Sequence, residues 1–229
     1  MAEAIDDQFA AVARELRTQA SESATLERAV LIATEVISGC GHACVTLVHS
    51  AGRRLETPAS TSEVGRRGDE LQYELDEGPC LDSVWRHETT LSRDLATETR
   101  WPRWAPAVVG RLGIRSMLCY QLFTTEHSYG ALNLYSEDTD AFSDEDQALG
   151  LALAAHVAVA LAASREIDTR GLAITHRTLI GQAEGILMER YGIEADQAIR
   201  ALTRVSQDSN RKLFDIAREV VSTRRAPRS

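Results

Sequence analysis

Lysine is almost missing from this chain: Lys212 is the single one, and arginine supplies the rest of the 25 basic residues. Cysteine is scarce too, with Cys40, Cys44, Cys80 and Cys119 in 229 residues. No two of them stand in CxxC spacing, and their density is far below that of a secreted disulfide scaffold, so a reducing compartment fits. His42 lies near Cys40 and Cys44, but no second ligand pair accompanies it, and no metal site is expected. A Gly-rich phosphate loop, HExxH, GxSxG and a clear acid–base pair are all missing, so nothing asks for catalysis. The first 17 residues are acidic and amphipathic, without the basic start and apolar run of a signal peptide. The most apolar stretch, residues 149–163, falls short of the roughly 20 residues that span a bilayer and reads as a buried helix. Together these absences give the expectation of a cytoplasmic, non-enzymatic protein with no membrane contact.

What is present is the composition of a folded chain, with 44% hydrophobic and 26% charged residues. The length suits a domain of ordinary size plus a small one. The net charge of -9 is unevenly divided. Residues 1–164 carry 13 Arg against 25 acids, whereas residues 165–229 carry 11 Arg and Lys212 against 9 acids, a balance of +3. An acidic body repels polyanions, so a nucleic-acid partner is expected to dock on the C-terminal piece.

Apolar residues at three- and four-residue steps predict helices over 5–20 and 25–38, with Thr25 as a cap for the second. Short β-branched and aromatic runs predict strands at 43–49, 54–60, 89–93, 115–124 and 129–135, the last two as an antiparallel hairpin. In that hairpin Leu118, Tyr120 and Leu122 share one face, and Met117, Cys119 and Phe123 the other. Helical candidates fall between strands at 63–75, 80–87 and 102–112. Strands interspersed with helices imply an α+β domain around a mainly antiparallel sheet. From Ser143 a helical pattern runs to about Arg190, with Gly171 as a candidate joint. Leu149, Leu153, His156, Ala160, Ala163, Ile167 and Ile174 give an imperfect four-three spacing that either covers the sheet or pairs two copies as a coiled coil. Three helices are expected in the tail, at 172–190, 195–206 and 210–223, separated at Gly192 and at residues 207–209.

The string from Arg177 through Gly181-Gln182-Ala183-Glu184-Gly185-Ile186-Leu187-Met188, followed by Ser206-Gln207-Asp208-Ser209-Asn210-Arg211-Lys212-Leu213-Phe214-Asp215-Ile216-Ala217, resembles the ANTAR domain over residues 172–222. That resemblance implies a dimeric three-helix module that binds paired stem-loops in nascent transcripts and prevents termination. Upstream, Asp76-Glu77-Gly78-Pro79-Cys80-Leu81-Asp82, Asp94, Arg100-Trp101-Pro102, Arg115-Ser116-Met117-Leu118 and Gly130-Ala131-Leu132-Asn133-Leu134-Tyr135 resemble a GAF domain of the kind joined to ANTAR in high-GC Gram-positive bacteria. The fold expected is therefore a GAF-like antiparallel sheet with flanking helices, joined by a long helix to a C-terminal three-helix bundle. The domains expected are an N-terminal helix over 1–22, a sensor over 23–165 and an RNA-binding unit over 166–229 with its core at 172–222. Where the ANTAR family usually has a lysine between the Gln-Ala pair and Gly, this chain has Glu184, which removes a positive phosphate contact.

RNA recognition needs cations that reach phosphates and planar groups that reach unstacked loop bases. Arg177, Gln182, Ala183, Gly185, Asn210, Arg211, Lys212 and Arg218 are the candidates, with Asn210 doubling as a cap for the last helix. Arg211 and Arg218, seven apart on that helix, are expected on one face. Gly185 costs about 1 kcal/mol inside a helix relative to Ala, which close approach of RNA or another backbone would explain. For the sensor, the resemblance implies a pocket between sheet and helices. Tyr73, Cys80, Trp85, Trp101, Trp104, Tyr120, Asn133 and Tyr135 are its candidate lining, although aromatics more often pack than bind. No cofactor is called for, and an unidentified small molecule is the ligand this leaves room for. The expected partners are RNA and a second copy of the chain. A response regulator does not fit, because the alternating strand–helix order and the acidic phosphoacceptor are missing. The competing reading is a ligand- or redox-sensing protein, Cys80 and Cys119 included, that signals through protein contacts of its C-terminal helices.

Overall fold

The computed structural model describes residues 2–49, 54–86, 89–124 and 128–223. They form α1 (Ala2–Arg17), α2 (Glu22–Val36), β1 (His42–His49), β2 (Arg54–Ser60), α3 (Glu63–Leu75), α4 (Pro79–Arg86), β3 (Thr90–Ser92), α5 (Trp104–Leu112), β4 (Ser116–Phe123), β5 (Ser128–Ser136), α6 (Asp144–Tyr191), α7 (Ala195–Asp208) and α8 (Leu213–Thr223). Two compact units result, Met1–Arg165 and Glu166–Ser229.

The first unit is built on a five-stranded sheet in the order β2-β1-β5-β4-β3, with every neighbouring pair antiparallel. Because side chains alternate across a sheet, each strand feeds two cores. Val45, Leu47, Leu118, Tyr120, Leu122, Leu132 and Leu134 join α1, α2 and the first part of α6. Cys44, Met117, Cys119, Ala131 and Tyr135 join the layer of α3, α4 and α5. The hairpin faces anticipated for β4 thus hold, except that Phe123 is 59% exposed. The hairpin's turn lies partly outside the described residues.

Caps fix where the helices begin. Ser21, rather than Thr25, caps α2: its Oγ accepts from Ala24 N at 3.2 Å, and Thr25 is buried one turn later, donating to the Ser21 carbonyl. Ser143 and Asp146 form a reciprocal cap on α6, each side chain accepting from the other's backbone N–H. The Asp146 carboxylate also accepts from Ser38 N and Oγ, while Arg165 pairs with Glu22 at 2.7 Å. These two ties fasten both ends of α2 to α6, so the helices run antiparallel beside each other. In α6 the inward face includes Leu153 and Ala160, so the four-three spacing covers the sheet over its first half. Gly171 lies within the span of α6, Asp144–Tyr191. The apolar segment is also longer than the sequence suggests: Asp144–Ile167 is long and apolar enough to cross a membrane, yet Leu153, Ala154, Val157, Ala158 and Leu161 are buried in the sheet's core.

In the second unit Ala183 and Leu187 of α6, Ala198 and Leu202 of α7, and Ile216, Ala217 and Val220 of α8 make a small core. Gly192, at φ +61, ends α6. The Gln197 amide oxygen accepts from Glu194 N at 3.0 Å to open α7. The exit from α7 differs from expectation. Asn210 does not cap α8; it is the left-handed residue of a Schellman turn, with Arg211 N bonded to Ser206 O and Asn210 N to Gln207 O. That turn uses up residues 209–212, so α8 starts at Leu213.

Candidate ligand pocket and nucleic-acid interface

Beneath α3, on the sheet face that carries Cys44 and Cys119, lies a buried polar cluster centred on Asp69. Its Oδ1 accepts from Asn133 Nδ2 at 2.8 Å and from the Tyr135 hydroxyl; Oδ2 accepts from Thr57 Oγ1 at 2.9 Å and Thr46 Oγ1 at 3.3 Å. Tyr73 bridges both threonines at 2.7 and 2.8 Å. Gln72 donates to Tyr135 and accepts from Cys80 N at 2.7 Å, and Cys119 Sγ contacts Asn133 Oδ1. None of these groups is a cation. Burial pushes the Asp69 carboxyl up to about 6, against the four hydrogen bonds that favour its ionised form.

Four of the eight pocket candidates, Tyr73, Cys80, Asn133 and Tyr135, therefore meet around one carboxylate. Trp101 and Trp104 pack edge to face nearby, 5.9 Å between centroids, and donate their indole N–H groups to Asp82 and to Gly68 O. The other two lie elsewhere. Tyr120 faces the opposite core, its hydroxyl donating to Gln147 O, and Trp85 is 52% exposed on α4. A polar cavity of about 550 Å³ lies at the sheet's end, lined by Ser38 to His42, Ser136 to Asp138 and Ala141, none of the eight. Burial pushes the Cys44 and Cys119 thiols well up and Cys40 to about 12, which disfavours the thiolate that redox chemistry needs.

In the second unit Gln182 and Gly185, one turn apart on α6, line a groove of about 610 Å³ with Ile186, Glu189, Arg190 and Val221 of α8. A Cβ on Gly185 would meet nothing within 4 Å. Arg177 is five residues from Gln182, about 140° around the helix, and so leaves α6 on another side. Ala183 is fully buried in the three-helix core and is a packing residue. Arg211 and Lys212 precede α8 instead of lying on it, so Arg211 does not share a helix face with Arg218. Arg211 instead pairs with Glu219 at 2.8 Å, and Arg218 with Asp215 at 2.8 Å beside the Phe214 ring. Exposed pairs of this kind are worth under about 1 kcal/mol, so a phosphate can replace either carboxylate.

Residues 19–162 match the family model of the GAF domain, and residues 172–221 match that of the ANTAR domain. The chain is a GAF domain followed by an ANTAR domain. Solved structures agree on the GAF fold. The GAF domain of a phosphoenolpyruvate-protein phosphotransferase from Coxiella burnetii superposes with a TM-score of 0.58 at 15% identity, covering 72% of this chain and 96% of that one. Its Acinetobacter counterpart gives 0.56 at 16% identity, over 70% and 94%. A free methionine-R-sulfoxide reductase from Neisseria meningitidis gives 0.55 at 16% identity, over 69% and 89%. No curated protein matches the chain. A GAF sensor joined to an ANTAR RNA-binding domain fits a regulator of antitermination.

Within the GAF domain, sequence reasoning missed Asp69, Gln72, Thr46 and Thr57. Asp69 and Gln72 sit on the inward face of α3 with Gly65, Gly68 and Leu71, all buried. A helix whose inward face is small and polar has no apolar stripe to announce it. The available signal was Gly65 and Gly68, three apart, marking the side on which the sheet comes close.

Proposed function

We propose that this protein is a signal-responsive transcription antitermination regulator that binds paired stem-loops in nascent RNA as a homodimer through its ANTAR domain, under the control of its GAF sensor. The match of residues 172–221 to the ANTAR domain carries this reading. We assign the sensor to residues 23–165 after an N-terminal helix, and RNA binding to residues 166–229. The protein works in the cytoplasm and is not an enzyme. Its RNA contacts are Gln182 and Gly185 on the open side of α6, with Asn210, Arg211, Lys212 and Arg218, all exposed, and Arg177 on a separate side. Tyr73, Cys80, Asn133 and Tyr135 respond to a small molecule by exchanging bonds within the Asp69 cluster. Helix α6 begins in the sensor and ends in the RNA-binding unit, so it relays the change.

Electrophoretic shift assays with tandem hairpins test the reading. Affinity should fall linearly on a log–log plot against salt, and Arg211→Ala with Lys212→Ala should weaken binding by at least ~10-fold while flattening the slope by up to about two phosphate contacts. Unchanged binding in the double variant would remove the site assignment. Failure of the native chain to bind any hairpin pair would favour a protein partner for the C-terminal helices.

Gly185→Ala separates stability from recognition. The Cβ enters open space, so the helix should gain about 1 kcal/mol. RNA binding should nevertheless drop, since the added methyl stands where RNA approaches. A stabilised variant with native affinity would free Gly185 of any contact role.

A further inference from the structure

Phe214 is an aromatic side chain set outside its unit's core. That core takes in Leu213, Ile216, Ala217 and Val220 of α8, and among the described residues Phe214 is not part of it. One position after Leu213, its side chain leaves α8 about 100° round from that residue. Aromatic rings are a core's largest apolar contributors, yet this one stays half-buried at the surface with polar neighbours. The His176 imidazole of α6 lies against it, with 4.0 Å between ring centroids and 35° between planes. The Arg218 guanidinium, one turn further along α8, sits 5.6 Å from the Phe214 centroid. Three planar groups from two helices are thus gathered outside the core. The contact also brings the α6 turn that carries Arg177 against the first turn of α8. Arg177 next to His176, Lys212 two residues before Phe214, and Arg218 are all exposed, so three cations surround the stack.

We infer that the His176–Phe214 pair is a platform on which one unpaired loop base of the RNA stacks, with Arg177, Lys212 and Arg218 taking the phosphates on either side of that base. Two features select a nucleobase as the occupant. First, every base offers a flat π-face to an aromatic platform and arrives with its own phosphates, so rings interleaved with cations meet both of its needs. Second, a side chain that served only to hold α8 against α6 would join the apolar core, as Leu213 does. Phe214 instead presents its ring to an imidazole and a guanidinium, groups that themselves stack on bases. The platform supplies what phosphate contacts lack. Cations bind stem and loop backbones alike, whereas a paired base has no free face to stack, so the His176–Phe214 pair distinguishes an open loop from a closed stem. The inference rests on the RNA reading above and deepens it by naming the side chains that sense an unpaired base.

Tandem hairpins carrying 2-aminopurine at each loop position in turn test it on the full chain. The native protein should quench the emission of one loop position by stacking on it. His176→Ala should weaken binding by about 10-fold or more, restore emission at that position and leave the salt slope native, because no phosphate contact is removed. His176→Phe keeps a ring without the imidazole nitrogens and should bind within about threefold of the native chain, with the quenching retained. Phe214→Leu keeps an apolar contact with α6 but no ring, and should lose the same base-specific signal. Circular dichroism of each variant shows whether the helices remain, and a variant that has lost them is set aside in favour of the other. Native quenching in a folded His176→Ala or Phe214→Leu chain overturns the inference, as does a His176→Phe variant as weak as His176→Ala. A native chain that binds no hairpin sinks the antitermination reading and the platform together, whereas hairpin binding that both ring-removing variants leave intact sinks the platform alone.

Discussion

Asp69→Ala should lower the stability of the GAF domain by about 3–5 kcal/mol, one of the larger single-residue effects in the molecule. The carboxylate accepts four hydrogen bonds, from Thr46, Thr57, Asn133 and Tyr135. Alanine strands those donors at positions closed to water and leaves a gap between α3 and the sheet, while relief of the buried charge offsets part of the cost. Urea denaturation followed by tryptophan fluorescence reads this cleanly. Trp85, Trp101 and Trp104 are the chain's three tryptophans, and all belong to the first unit. A loss below about 1 kcal/mol would mean that the cluster is not closed to solvent.

The same residue gives the domain a distinctive response to pH. The Asp69 carboxyl sits at about 6 in the folded chain against an ordinary 3.8. Between those values the folded state holds a proton that the unfolded chain has released, so this group's contribution is fully present below about 4 and is lost as pH rises through about 6. The loss amounts to about 3 kcal/mol at most, from roughly two pH units at 1.36 kcal/mol each. Asp69→Asn keeps the shape and the Oδ1 acceptor but cannot titrate. Its stability relative to the native chain should rise between pH 4.5 and 7.5. Parallel pH profiles for the two proteins would contradict the assignment.

How far the sequence revealed this arrangement depended on what kind of signal each element leaves. The strands β1, β2, β4 and β5 were legible as short runs rich in β-branched, aromatic and apolar residues, because both sheet faces are covered, and the expected boundaries fall within a residue or two of the observed ones. Tail helices were legible because Ala183 and Leu187, Ala198 and Leu202, and Ile216 and Val220 recur at four-residue steps around a shared core. What stayed hidden was polar or tertiary. Asp69 looked like one more acid on a charged helix, since nothing local says that Thr46 and Asn133 arrive from distant strands. Tyr120 and Trp85 were grouped with the pocket by residue type, but strand parity sends Tyr120 to the other core and Trp85 faces solvent. The spacing of Arg211 and Arg218 does not place them on one helix face, because α8 begins only at Leu213. The left-handed Asn210 shows that the chain turns there instead.

Gly130→Ala should be at least as severe, costing more than about 4 kcal/mol and in practice preventing the GAF domain from folding. Gly130 lies in β5, the central strand, opposite Leu47 on one side and Leu122 on the other. Its φ of +153° is one that residues with a side chain rarely adopt, and a Cβ there would fall 1.8 Å from the Thr46 carbonyl oxygen and 3.0 Å from Leu47 Cα. Neither neighbour can give way easily. Both are backbone in the β1 ladder, and moving Thr46 would pull its hydroxyl from Asp69, Tyr73 and Asn133. Strain in the sheet is therefore transmitted directly into the buried polar cluster, which is why a single methyl here should rival the loss of the carboxylate. Thermal melts read by tryptophan fluorescence should show no cooperative transition for Gly130→Ala, alongside a native midpoint for Gly185→Ala, which lies in the unit without tryptophan. A folded Gly130→Ala variant with a midpoint near that of the native chain would show that β1 and β5 can separate locally, and would weaken the claim that the sheet holds the Asp69 cluster in place.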